Sequence, residues 1–73
     1  MAQSEIAQLR QRITEEYEAM KRGLTGLASG SAKHAFIAAR MQHVDDYYGQ
    51  LAQHIGAQEA TQAVCELYIE VIG

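Results

Sequence analysis

Residues 37–55 read IAARMQHVDDYYGQLAQHI, and their apolar positions Ile37, Met41, Val44, Tyr48, Leu51 and Ile55 recur in an unbroken 4-3-4-3-4 spacing. Heptad spacing of this kind places all six side chains on one side of an α-helix. A strand, with period 2, would scatter them over both faces. The stretch therefore decides for helix, and the rest of the chain follows it. Proline is absent, and no alternating run of Val, Ile and Thr suggests a strand.

Working toward the N-terminus, Ser31 is placed to cap this helix, which runs over about 32–55 and ends at Gly56, expected as a left-handed C′ residue. Such a rod is roughly 36 Å long. Before it lies GLTGLASGS, residues 23–31. Its glycines weaken a helix by about 1 kcal/mol each relative to alanine, so it reads as a connection. Leu24 and Leu27 make that connection apolar, suited to packing on the helices. The glycines read as turn-formers that also let helices approach.

A first helix spans about 4–23. Ser4 is its N-cap, and Glu5 lies where the helix dipole favours a negative charge. Ile6, Ile13 and Met20 form its seam, with Leu9, Tyr17 and Leu24 beside them and Arg10 at the edge. Glu18 and Arg22 suit an i,i+4 pair, and Lys21 with Arg22 complements the helix C-terminus. A third helix covers about 58–72. Its polar stripe, Glu59, Gln62, Glu66 and Glu70, is narrow, and almost all else is apolar. One neighbouring helix needs an apolar arc of only about 100°. This helix either sits deep between the other two or faces another chain.

The expected fold is all-α: one domain, an antiparallel helical hairpin with a shorter third helix folded back, assembling into an oligomeric helical bundle with coiled-coil-like seams. The 73 residues bury only roughly 60% of their unfolded surface. Domains this small usually add disulfides, metal or a partner chain. Cys65 is the sole cysteine, so no disulfide forms within the chain. A lone thiol fits the reducing cytoplasm, the expected location. The N-terminal residues show no signal-peptide core, and no apolar stretch has the length of a bilayer span. A formal charge of −3 disfavours direct nucleic-acid contact, which needs a basic footprint.

The second helix carries a further stripe: Phe36, Arg40, His43, Tyr47, Gln50 and His54. Aromatics with arginine on one edge suit a protein–protein contact. They also suit a half-solvated edge whose aromatics pack on Leu24 and Leu27, the more ordinary reading. On the opposite flank Ala38, Asp45, Gly49 and Ala52 are small enough to admit a close neighbour. Histidines raise the question of metal. His43, Asp46 and His54 are the weak ligand candidates, and only across a subunit interface, because His43 and His54 lie about 16 Å apart along one helix. The Glu-x-x-His pairs of helical di-iron sites are missing. Glu15, Glu16 and Glu18 read as a solvated face salt-bridged to Arg12, Lys21 and Arg22, and Cys65 as a small apolar-face thiol. No P-loop is present, and no cofactor is implied.

The function that emerges is a non-enzymatic helical interaction or assembly module. It docks with a second copy of itself or with a larger protein through Phe36, Arg40, Tyr47, Cys65, Tyr68, Ile69 and Ile72. The alternative is a metal- or small-molecule-binding bundle with its site at an interface.

Overall fold

The computed structural model describes residues 4–26 and 30–73. Three helices account for nearly all of them: α1 (Glu5–Gly26), α2 (Ser31–Ile55) and α3 (Ala57–Val71). The chain is all-α, and the three helices pack against one another.

Side-chain contacts give the topology. Glu5 meets His54, Glu16 meets His43, and Lys33 Nζ donates to the Leu24 carbonyl at 3.1 Å. As α1 advances, its partners fall back along α2, so the pair is an antiparallel hairpin. The α2–α3 hairpin is tied by the Tyr48 hydroxyl, which lies 3.0 Å from Thr61 Oγ1 and donates to the Ala57 carbonyl at 3.4 Å. Tyr68 then returns to Tyr17, edge to face at 5.4 Å between ring centres. The course is up, down, up.

The helix starts differ in their caps. Ser4 caps α1 as the sequence implies, its Oγ accepting the Ala7 N–H at 3.1 Å. At α2 the expectation fails: Ser31 is the first helical residue, Gly30 is the N-cap, and no side chain caps the turn. Gly30 has φ 103° and ψ −156°, a region essentially restricted to glycine. Only a residue without Cβ takes that geometry without strain. Gly56 is likewise at positive φ, but with ψ 158° it is extended rather than left-handed helical. One residue thus ends α2 and opens α3: its N–H donates to the Ala52 carbonyl and its carbonyl accepts from Ala60.

Helix α1 continues to Gly26, past the expected end near residue 23, with Gly23 buried inside it. Burial of that face against α2 outweighs the modest propensity cost of glycine. Lys21 and Arg22 therefore lie short of the last turn, which holds no basic residue. Lys33 reaches across from α2 to satisfy a terminal carbonyl instead. Leu24, expected to pack, is exposed. Leu27, its expected companion in the connection, lies outside the described residues.

The core comprises Leu9, Ile13, Tyr17 and Met20 from α1, Val44 and Leu51 from α2, and Ala60, Ala63 and Leu67 from α3. Those of α1 and α2 belong to the seams legible in the sequence, whereas Ala60, Ala63 and Leu67 are picked out of the broad apolar arc of α3 only by the packing. Ile6, Ile37, Tyr47, Tyr48, Ala52, Ile55, Val64, Val71 and Ile72 pack around it half-buried. No polar or charged residue is buried among the described residues, so the hydrophobic effect rather than polar pairing holds the three helices together.

The small residues do less than expected. A Cβ built at Gly26 or Gly49 meets no atom within 4 Å, so neither glycine marks a close helix approach. Gly49 lies in the α2 interior and is not among the positive-φ glycines. Gly49→Ala should therefore raise stability by about 0.5–1 kcal/mol, the helix-interior difference between the two residues. An unchanged or lower midpoint in urea-induced unfolding would contradict the open space at this position.

Candidate interaction surface

The two flanks of α2 have separate roles. One carries Arg40, His43 and His54, and it faces α1. Glu16 Oε1 lies 3.3 Å from Arg40 Nε and 3.2 Å from His43 Nδ1. Glu5 Oε2 lies 2.9 Å from His54 Nε2. The Arg40 guanidinium sits 5.1 Å above the Phe36 ring, a cation–π contact that the i,i+4 spacing permits. Arg40 Nε is buried, but its N–H points off the line to Glu16. The pair is a charge contact without a directed hydrogen bond, and contacts of this partly exposed kind contribute about 0–1 kcal/mol.

This changes the reading of the acidic cluster. Glu16 is not salt-bridged within its own helix but to α2. Among the described residues the ion pairs join Glu16 to Arg40 and His43 and Glu5 to His54, and Glu18 does not pair with Arg22. Glu15 accepts from the Gln11 amide at 3.4 Å. Proximity in sequence brought the acids near Arg12, Lys21 and Arg22, but the hairpin brings α2 cations closer to the inward-tilted Glu16.

The three weak metal candidates are not gathered. His43 and His54 each face a different glutamate on α1, while Asp46 is exposed on α2. Among the described residues no group of three or more His, Cys, Asp and Glu side chains is arranged to hold a metal ion. Phe36 and Tyr47, proposed as partner contacts, are half-buried, and Tyr47 packs against the core.

The other flank of α2 faces α3 across a groove of about 280 Å³, lined by Tyr17, Met41, Val44, Asp45, Tyr48, Thr61, Val64 and Cys65. The buried Tyr17 and Val44 form its floor, and Met41, 42% exposed, stands at the rim. Burial pushes the Tyr17 phenol above its ordinary value of 10.0, and the neighbouring Cys65, Tyr68 and Asp45 add to the rise as sources of negative charge. A buried neutral phenol below an exposed carboxylate is the polar signature of this groove.

Beyond the groove the outer face of α3 is apolar and uncovered. At about 100° per residue, Tyr68, Ile72, Cys65 and Ile69 follow one another around the helix, away from the core edge at Val64 and Val71. Tyr68 is 44% and Ile69 67% exposed, Cys65 is exposed, and Ile72 is half-buried. Cys65 links this face to the groove, because it lines the groove and lies four residues before Ile69. Comparison of the chain with family models, with curated proteins and with solved structures gave no match. The chemistry of the surface itself therefore carries the functional argument.

Of the interface residues expected from sequence, the structure brings Cys65, Tyr68, Ile69 and Ile72 onto one face. Phe36, Arg40 and Tyr47 lie on the opposite flank of α2. Sequence reasoning missed Met41, Asp45, Thr61 and Val64 as groove residues. Met41 was legible only as one more seam position, and its exposure follows from where α3 crosses α2. A signal for the electrostatics was present. Acids and bases balance within α1 and within α2, whereas α3 has Glu59, Glu66 and Glu70 and no base, so the whole formal charge of −3 lies on α3.

No helix among the described residues is long and apolar enough to cross a membrane.

Proposed function

We propose that this protein is a non-enzymatic docking module, acting through the face built by α3 and the neighbouring flank of α2, as a homo-oligomer or as a small subunit of a complex in the cytoplasm. One observation carries the reading: Ile69 and Tyr68, with the exposed Cys65 on the same face and Met41 at the groove rim, leave an apolar surface open after the three helices have packed together. Burying a side chain such as isoleucine contributes about 1.5–3 kcal/mol, and contiguous exposed apolar surface marks interaction sites. Tyrosine and methionine are favoured at such contacts.

Ile69→Glu tests it. The position is exposed, so the helical circular dichroism and the melting midpoint of an isolated chain should stay close to wild type. The wild-type chain should sediment as an oligomer at micromolar concentration, or co-purify with a partner from its native host, and the variant should lose that association. A wild-type chain that is a monomer and whose co-purifying proteins are the same with and without the substitution would end the proposal.

A further inference from the structure

A second cavity, of about 450 Å³, opens between the C-terminal half of α1 and the N-terminal half of α2, and no residue of α3 lines it. Ala19, Gly23 and Gly26 line it at i, i+4 and i+7 of α1, so this face of the helix carries nothing larger than a methyl group. A Cβ at Gly26 would meet no atom within 4 Å, because that glycine fronts the cavity rather than a neighbouring helix. Phe36 adds an aromatic ring to the lining, and Arg22 and Arg40 bring one arginine from each helix. We infer that this cavity binds a small aromatic carboxylate, an activity beyond the docking role and independent of the α3 face.

The charges select the head group. Among the described residues no carboxylate lines the cavity. Arg40 shares its charge with Glu16, 3.3 Å from its Nε, whereas Arg22 makes no ion pair among the described residues. Glu18 and Glu70 line a neighbouring cavity together with Lys21 and Arg22, and neither comes within ion-pair distance of Arg22. One arginine charge is thus left without a close partner, which matches a monoanion better than a doubly charged phosphate. The Arg40 guanidinium is stacked 5.1 Å from the Phe36 ring centre, and a planar fork oriented in this way suits the two oxygens of a carboxylate. The rest of the lining is methyl, glycine and phenyl surface, which favours a flat apolar body over a bare anion. The volume falls in the usual range for small-molecule sites.

The probe is naphthoate, whose fluorescence reports binding directly, compared with naphthamide, acetate and inorganic phosphate. Naphthoate should bind at least about tenfold more tightly than each of the three, the loss expected when a charged hydrogen bond or the apolar contact is removed. Its affinity should fall as salt is raised. Arg22→Gln and Arg40→Gln should each weaken it by about tenfold, while Arg12→Gln, on exposed α1 surface away from the cavity, should change it less than about threefold. Gly26→Leu places a side chain in the open space and should abolish binding. Circular dichroism melts of each variant separate loss of the site from loss of the fold, and Arg22, being exposed, is the substitution least able to disturb packing.

No binding of naphthoate to the wild-type chain, equal losses in Arg12→Gln and Arg22→Gln, binding that survives Gly26→Leu, or acetate or phosphate binding as tightly as naphthoate would each overturn the inference. Ile69→Glu should leave naphthoate binding unchanged, so the docking role and this site stand or fall separately.

Discussion

Leu51→Ala should lower the melting midpoint by about 10 °C or more. Leu51 is fully buried at the centre of the α2 seam. Cutting a buried leucine to alanine costs about 2–5 kcal/mol, depending on how far the site collapses. A domain of this size holds only about 4–11 kcal/mol in total, at the usual 0.05–0.15 kcal/mol per residue. Each kcal/mol moves the midpoint of so small a domain by about 4–8 °C. Collapse offers little relief, because neighbours such as Ala60 and Ala63 are too short to fill the void. Thermal and urea melts followed by circular dichroism give the measurement. Met41→Ala is the control, since at 42% exposure its truncation should cost less than about 1 kcal/mol. A Leu51→Ala loss no larger than that of Met41→Ala would mean that α2 does not present this seam to the core.

Gly56→Ala should destabilise by about 1–3 kcal/mol, although an added methyl group touches nothing. A Cβ at Gly56 has no atom within 4 Å. The cost comes from the backbone: φ 89° with ψ 158° is a region that only glycine enters without strain. Alanine must either accept that strain or rotate out of it, and rotation swings α3 away from α2. The swing would pull Thr61 from the Tyr48 hydroxyl, now 3.0 Å away, and loosen Ala60 in the core. Faster amide exchange over the first turns of α3 would report it, alongside a lowered urea midpoint. Set beside Gly49→Ala, the comparison is sharp. The same substitution, with equally open space at both sites, has opposite signs because one glycine is helical and the other is not. Equal effects at the two positions would refute the positive-φ backbone assigned to Gly56.

Much of the fold was legible in the linear chain. The 4-3-4-3-4 seam from Ile37 to Ile55 made α2 a helix whatever it packs on. The spacing of Ile6, Ile13 and Met20 did the same for α1. Both follow from helical periodicity and hydrophobicity, which are local properties. Ser4 as a cap was also local, since its hydroxyl needs only the next turn. Ser31 looked equivalent and was not, because it is already the first helical residue and the capping position falls on Gly30, which has no side chain to offer.

The site was less legible, for a physical reason. A helical wheel gives the angle of each side chain around its own axis but not which neighbour stands at that angle. Phe36 and Arg40 had the composition of an interface, yet α1 lies beside them and supplies Glu16. Met41 had the pattern of a core residue, yet α3 leaves a groove there.

Local sequence alone determined that this chain is three helices with one excessively apolar face on α3. Its spacing, glycines and lack of proline permit little else, and turn-by-turn hydrogen bonding needs no distant partner. Only the tertiary structure decided which residues stay uncovered, because exposure depends on how three rods cross. That crossing spends the histidine edge of α2 on α1 and leaves Met41, Cys65, Tyr68 and Ile69 facing outward.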